Sequence, residues 1–139
     1  DAVLALSVNT ASPLFMNQLY GGADPIGTAA EWLGVVLNTN CHTYEVAPVF
    51  TLMEREVLSK VAHAVGGAYA LEHDGIMVPG GSMANMYAMH LARLAADPAI
   101  RARGMAQGPG GALVGFVSDQ AHYSMQKSAV VLGIGADNL

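Results

Sequence analysis

Charge is scarce in this sequence. Only 12% of its 139 residues are Asp, Glu, Lys or Arg, while 53% are apolar; a soluble domain ordinarily carries about 25% charged residues. A surface so poor in charge predicts that much of the exterior is covered, either within a larger enzyme or at a large subunit interface. Basic residues are fewest: six, scattered apart from Arg101 and Arg103, within a net charge of −5. That leaves no basic stripe, so a nucleic-acid surface is excluded. Cys41 is the only cysteine, which rules out an internal disulfide and predicts a reducing, cytoplasmic compartment. No apolar run approaches the ~20 residues of a membrane span. The opening residues include neither an initiator Met nor a basic leader, so the chain is expected to begin inside a longer protein or to have been processed.

Metal and nucleotide motifs are missing too. His42, His63, His73 and His90 form no HxH, HExxH or paired Cys/His spacing, so no metal site is expected. Neither a GxGxxG fingerprint nor a GxxxxGK[ST] loop occurs, which disfavours dinucleotide and ATP sites. Ser118, Ser124 and Ser128 lie outside any GxSxG elbow, leaving hydrolase chemistry without support. Cys41 reads as a buried or idle thiol.

What is present is an alternation of helix-like and strand-like runs. Asp24-Pro25 opens an amphipathic helix that stops near Asn38-Thr-Asn40, with Asp24 as cap and Pro25 in the first helical position. Ala47-Pro48 opens a second, with Glu56 and Lys60 on its wet side and Gly66-Gly67 at its end. Residues 71–75 read as a solvated turn and 75–78 as a short strand. Residues 82–96 form a helix apolar nearly all round, hence buried, broken at Asp97-Pro98. A short basic turn over 100–103 precedes a clear strand over 112–117 and a helix over about 122–132. This order predicts an α/β domain with a parallel sheet core flanked by helices. Residues 1–70 make a mainly helical segment, and 71–139 a strand-helix-strand-helix segment.

Two turns stand out. In Asp74-Gly-Ile-Met-Val-Pro-Gly-Gly-Ser-Met-Ala-Asn-Met-Tyr87 a strand runs through a double-glycine turn into a serine and a helix. That arrangement offers bare N–H groups and a hydroxyl to a phosphate. It is equally what an ordinary capped turn uses. Gly108-Pro-Gly-Gly111 is richer in glycine but precedes its strand, on the wrong edge of a parallel sheet for a ligand. In Ser118-Asp-Gln-Ala-His-Tyr-Ser124 a second strand ends at His122. A lone histidine there is more often a cap, yet imidazole is flat enough to stack on a heteroaromatic ring. A right-handed crossover would bring both turns to one crevice.

Asn17-Gln-Leu-Tyr20, Leu37-Asn-Thr-Asn40, Thr43-Tyr-Glu-Val-Ala-Pro-Val-Phe50, Asp74-Gly-Ile76, Pro79-Gly-Gly-Ser82, Asn85-Met-Tyr-Ala88 and Ala121-His-Tyr-Ser124 follow in that order. Together they resemble the group II pyridoxal-phosphate decarboxylases, in particular the glutamate and cysteine-sulfinate branch, from about Ser12 to Leu139. The resemblance implies part of the cofactor (large) domain of a fold-type I enzyme, normally a homodimer. It assigns the cofactor phosphate to Gly81, Ser82, Met83 and Ala84, and the ring-stacking and catalytic role to His122. Gln18 and Asn40 fall on the substrate side, near one another and facing an acidic amino acid. Ala84 stands where many members carry serine, which removes a hydroxyl and keeps the N–H. The lysine that carries the cofactor, the aspartate on the pyridine nitrogen and a distal arginine match nothing here. Lys60 and Lys127 are the only lysines; neither is in the family's His-Lys context, and the isolated chain is expected to be inactive. Alternatives that keep the fold are an aromatic amino acid decarboxylase or another fold-type I lyase. A non-catalytic, truncated paralogue that binds a partner subunit is the non-enzyme alternative.

Overall fold

The computed structural model describes residues 1–16, 19, 21–105 and 111–139. They form two compact units, Asp1–Asp74 and Gly75–Leu139.

The first unit contains α1 (Ala2–Leu6), α2 (Pro25–Leu37), α3 (Pro48–Val65) and α4 (Ala68–Leu71). The Asp24 carboxylate accepts from the Gly27 N–H at 2.7 Å, and Pro25 occupies the first turn, where a missing N–H costs nothing. Asn38, left-handed at φ 46°, ends α2 as the sequence predicts. Gly66 at φ 79° ends α3, and Gly67 at φ 60° turns the chain into α4, which packs back on α3. That one-turn helix takes up residues just before the predicted solvated turn. Lys60 and Glu56 pair at 3.4 Å on the exposed face of α3.

The second unit contains α5 (Gly81–Ala96), α6 (Ile100–Arg103), α7 (Ser124–Val131) and a 3-10 turn at Ala136–Asn138. Two hydrogen bonds fix how α5 and α7 lie. Asn85 Nδ2 donates to Ser124 Oγ at 2.8 Å near one end, and Arg93 donates to the Leu132 carbonyl near the other. Both join residues 39 apart in sequence. Eight residues along α5, about 12 Å, are therefore matched by eight along the α7 segment, and the helices run parallel. Ser124, Ser128 and Ala129 are buried on α7, and their small side chains let α5 approach closely. Ile100 of α6 is the other buried apolar residue described in this unit. The predicted basic turn is thus a helical turn, anchored by Ile100 and by an Arg103–Asp97 ion pair.

The described residues differ from three expectations. Residues 75–78 and 112–117 form no strand among the described residues. A strand needs a ladder, and none runs through either segment among the described residues. Val78 accepts from the Gly80 N–H at 2.8 Å in a tight turn, and the Gly115 N–H donates to the Asn138 carbonyl at 2.8 Å. Nor is α5 buried all round: Leu91 is 62% exposed, because α7 covers only one face. Helix α7 begins at Ser124 and ends at Val131, two residues and one residue inside the predicted 122–132, and Gly133 and Gly135 at positive φ follow it.

Candidate functional site

The parallel packing brings the N-terminal ends of α5 and α7 to the same side of the second unit. Helix α5 starts after Gly80, at φ 107° and ψ 164°, a conformation only glycine adopts readily. No side chain caps it. The Met83 and Ala84 N–H groups donate to the Gly80 carbonyl, each at 3.1 Å. The donors without an intrahelical acceptor are therefore those of Gly81 and Ser82, whereas the N–H groups of Met83 and Ala84, two residues further on, are taken up by the Gly80 carbonyl. A Cβ placed on Gly81 would meet nothing within 4 Å, so the space beside its Cα is open.

Beside this turn is a cavity of about 240 Å³ whose walls include Ser82, Met83, Tyr123, Ser124, Lys127 and Ser128. Its polar groups are hydroxyls and an ammonium. The Lys127 ammonium lies 4.5 Å from the Tyr123 ring centroid, within cation–π range. The exposed Ser82 hydroxyl, the N–H groups of Gly81 and Ser82 at the adjoining turn and the Lys127 ammonium form a donor set suited to a phosphate dianion, whereas the buried Ser124 hydroxyl is bonded to Asn85 and His122. The residues present fit the phosphate end of pyridoxal phosphate on that ground.

His122 lies on the neighbouring side of the α7 start, in a cavity of about 200 Å³ shared with Val117, Ser118 and Asp119. One face of its ring meets Tyr123, with centroids 4.1 Å apart and planes tilted by 37°. Its Nδ1 accepts from the Ser124 N–H at 3.2 Å and lies 2.8 Å from Ser124 Oγ. His122 thus caps the first turn of α7 through Nδ1, and its Nε2 has no hydrogen-bond partner among the described residues. The capping role and a ligand role use different parts of the ring. His122 and Lys127, five residues apart, line different cavities.

Asn40 is exposed, and its Oδ1 accepts from the His42 N–H at 2.9 Å. Its amide N–H groups remain as donors. Gln18 lies outside the described residues, as do Asn17 and Tyr20. Cys41 is exposed, not buried, because it sits in the open turn after α2.

Three residues of the site are not singled out by motif spacing alone: Asn85, Ser124 and Lys127. A polar Asn85 inside an otherwise apolar helix is the legible signal, since a part-buried amide needs a partner. Ser124 and Lys127 carry no such signal before the pairing of α5 with α7 is known.

Comparison with known proteins agrees with this geometry. Residues 1–139 match the family described as the pyridoxal-dependent decarboxylase conserved domain. The chain is 45% identical over 137 residues to the acidic amino acid decarboxylase GADL1 of Xenopus tropicalis. It is 47% identical over 138 residues to human cysteine sulfinic acid decarboxylase. In both cases 99% of the chain is aligned, with 26% and 27% of the relative, so the chain spans about a quarter of their length. Among solved structures, mouse CSAD in its apo form superposes with a TM-score of 0.91 at 45% identity, over 99% of this chain and 28% of that one. The fold of these residues is therefore that of the corresponding part of mouse CSAD, and the chain belongs to the pyridoxal-dependent decarboxylase family.

Proposed function

We propose that the protein containing this chain decarboxylates a small acidic amino acid with pyridoxal phosphate, and that these residues supply the phosphate anchor and one ring-stacking face. The carrying observation is the cavity lined by Ser82 and Lys127 next to the turn whose Gly81 and Ser82 N–H groups have no intrahelical acceptor, with His122 lining a second cavity at the start of α7. The names of the two relatives, an acidic amino acid decarboxylase and a cysteine sulfinic acid decarboxylase, support the acidic branch.

When bound, the cofactor supplies a pyridine ring that delocalises the electron pair left by the departing carboxylate. Ser82 and the two N–H groups would hold its phosphate. Lys127 adds positive charge on the same side. His122, backed by Tyr123, presents a flat face that restrains the tilt of the ring. Gln18 and Asn40 bind the substrate's side-chain acid through their amide N–H groups. In this proposal the chain is the first part of a fold-type I cofactor domain. Residues 75–78 and 112–117 join a parallel sheet there, and the whole protein is a homodimer.

The test uses the full-length protein. Carbon dioxide release should be faster from aspartate, glutamate or cysteine sulfinate than from aromatic amino acids, and His122→Ala should lower kcat far more than it weakens cofactor affinity. A preference for aromatic substrates would overturn the acidic assignment, and an unchanged kcat would overturn the role of His122.

A further inference from the structure

We infer that Asn85 and Ser124 are positioning residues that set the tautomer of His122, keeping its ring hydrogen on Nε2. Three groups meet around one hydroxyl. Asn85 Nδ2 is 2.8 Å from Ser124 Oγ, Ser124 Oγ is 2.8 Å from His122 Nδ1, and the Ser124 N–H donates to the same Nδ1 at 3.2 Å. The two ends of this chain are obligate donors: an amide –NH₂ can only give hydrogens, and so can a backbone N–H.

Only one arrangement of hydrogens satisfies both ends. The Asn85 amide donates to Ser124 Oγ, so the serine turns its own hydrogen towards His122. Nδ1 then receives two hydrogens, one from the hydroxyl and one from the backbone. A hydrogen on Nδ1 would face the Ser124 N–H directly, donor against donor. It would also require the serine to send its own hydrogen elsewhere, and Ser124 is 2% exposed. Leaving that hydroxyl without an acceptor would cost about 1–3 kcal/mol. The ring hydrogen therefore resides on Nε2, the nitrogen turned away from α7.

The consequence for the proposed site is that His122 offers a donor on one defined edge, in a ring plane held by two hydrogen bonds and by Tyr123. Outer partners of this kind commonly decide which imidazole nitrogen is free to act. Asn85 lies three residues after Ser82 on α5, so the helix that offers the phosphate donors also sets the ring. This functional consequence rests on the proposed function, whereas the tautomer itself does not.

The experiment uses the full-length protein without cofactor, with histidine rings labelled by nitrogen-15 and read by two-bond proton–nitrogen correlation. The His122 signals are identified by their loss in His122→Gln. Wild type should show hydrogen on Nε2 and a bare Nδ1. Asn85→Asp is nearly isosteric but replaces the donor with an acceptor, which draws the Ser124 hydrogen away from His122. In that variant the protonated share of Nδ1 should rise above that of wild type, with the Ser124 N–H still opposing it. A wild-type ring carrying its hydrogen on Nδ1 would overturn the inference even if the variant did not fold. So would an Asn85→Asp spectrum identical to wild type. Because no cofactor is present, failure here is distinct from failure of the stacking role, which the His122→Ala kinetics read.

Discussion

At the scale of single residues, Ser82 and Ser124 look alike in sequence and differ in physical role. Ser82 is exposed, with a hydroxyl free to meet a ligand, whereas Ser124 is sealed between α5 and His122. Ser82→Ala should therefore leave folding intact and weaken cofactor binding. One hydrogen bond to a charged group is worth about 1.5–3 kcal/mol, so the dissociation constant should rise about tenfold or more, measured by titrating cofactor-free protein with pyridoxal phosphate. Ser124→Ala should instead lower stability by about 1–3 kcal/mol, since it orphans the Asn85 donor. Denaturant unfolding checks it. Two neighbouring glycines divide in the same way. Gly80 has φ 107°, so Gly80→Ala strains the backbone and should cost about 1–3 kcal/mol. Gly81 has no such constraint and open space at its Cβ position. Gly81→Ala should keep stability while crowding the two free N–H groups, and so lower cofactor affinity.

Among the elements, those with local signals were legible. Asp24, Pro25 and Asn38 delimit α2, and Pro48 and Gly66 delimit α3, because caps, fixed φ angles and left-handed turns are written in the residues that make them. Asp24→Ala should remove the 2.7 Å cap bond to Gly27 and destabilise the first unit by about 1 kcal/mol, read as a lower unfolding midpoint. Elements that depend on partners were not legible. Residues 112–117 have the composition of a strand, but the residues described against them are Asn138 and Leu139: a Cβ on Gly115 would stand 2.9 Å from Leu139 Cδ1. Periodicity reports which face wants burial, not whether a neighbour is there to bury it. The same reasoning explains α5, whose apolar circumference predicts complete burial while α7 shields only one side. For the candidate site, the sequence singled out both turns and His122, which the fold sets at the starts of α5 and α7. It did not reveal which N–H groups are free or that Asn85 reaches across to Ser124, since both depend on how helices meet.

Across the whole molecule, the shortage of charge becomes exposed apolar surface. Trp32 is 70% exposed and Phe116 95%, far more than a finished exterior shows. In the proposed enzyme this surface is covered by the rest of the chain or by a second subunit. The 139 residues alone should bind a hydrophobic dye strongly and release no carbon dioxide. Lys60 pairs with Glu56 on the outer face of α3, and Lys127 lies beside Tyr123 on the phosphate side. Borohydride reduction with pyridoxal phosphate, followed by mass spectrometry, should find no stoichiometric label on either lysine. Site-specific labelling of Lys127 together with carbon dioxide release would mean that the chain carries a complete catalyst.

The parallel run of α5 and α7 also has an electrostatic cost. Side by side and pointing the same way, the two helix dipoles set like poles together, with partial positive charge gathered where both helices begin. Lys127 lies near that end and adds to it. Without an anion the arrangement is frustrated, and a dianion between the two starts relieves it. Inorganic phosphate should therefore raise the melting temperature of the cofactor-free protein more than chloride at equal ionic strength, by the linkage of binding to folding. Chloride screens the poles without bridging them. The phosphate of the cofactor would then be a structural member of the fold as well as a handle for the ring, and the empty protein a sprung form of the loaded one.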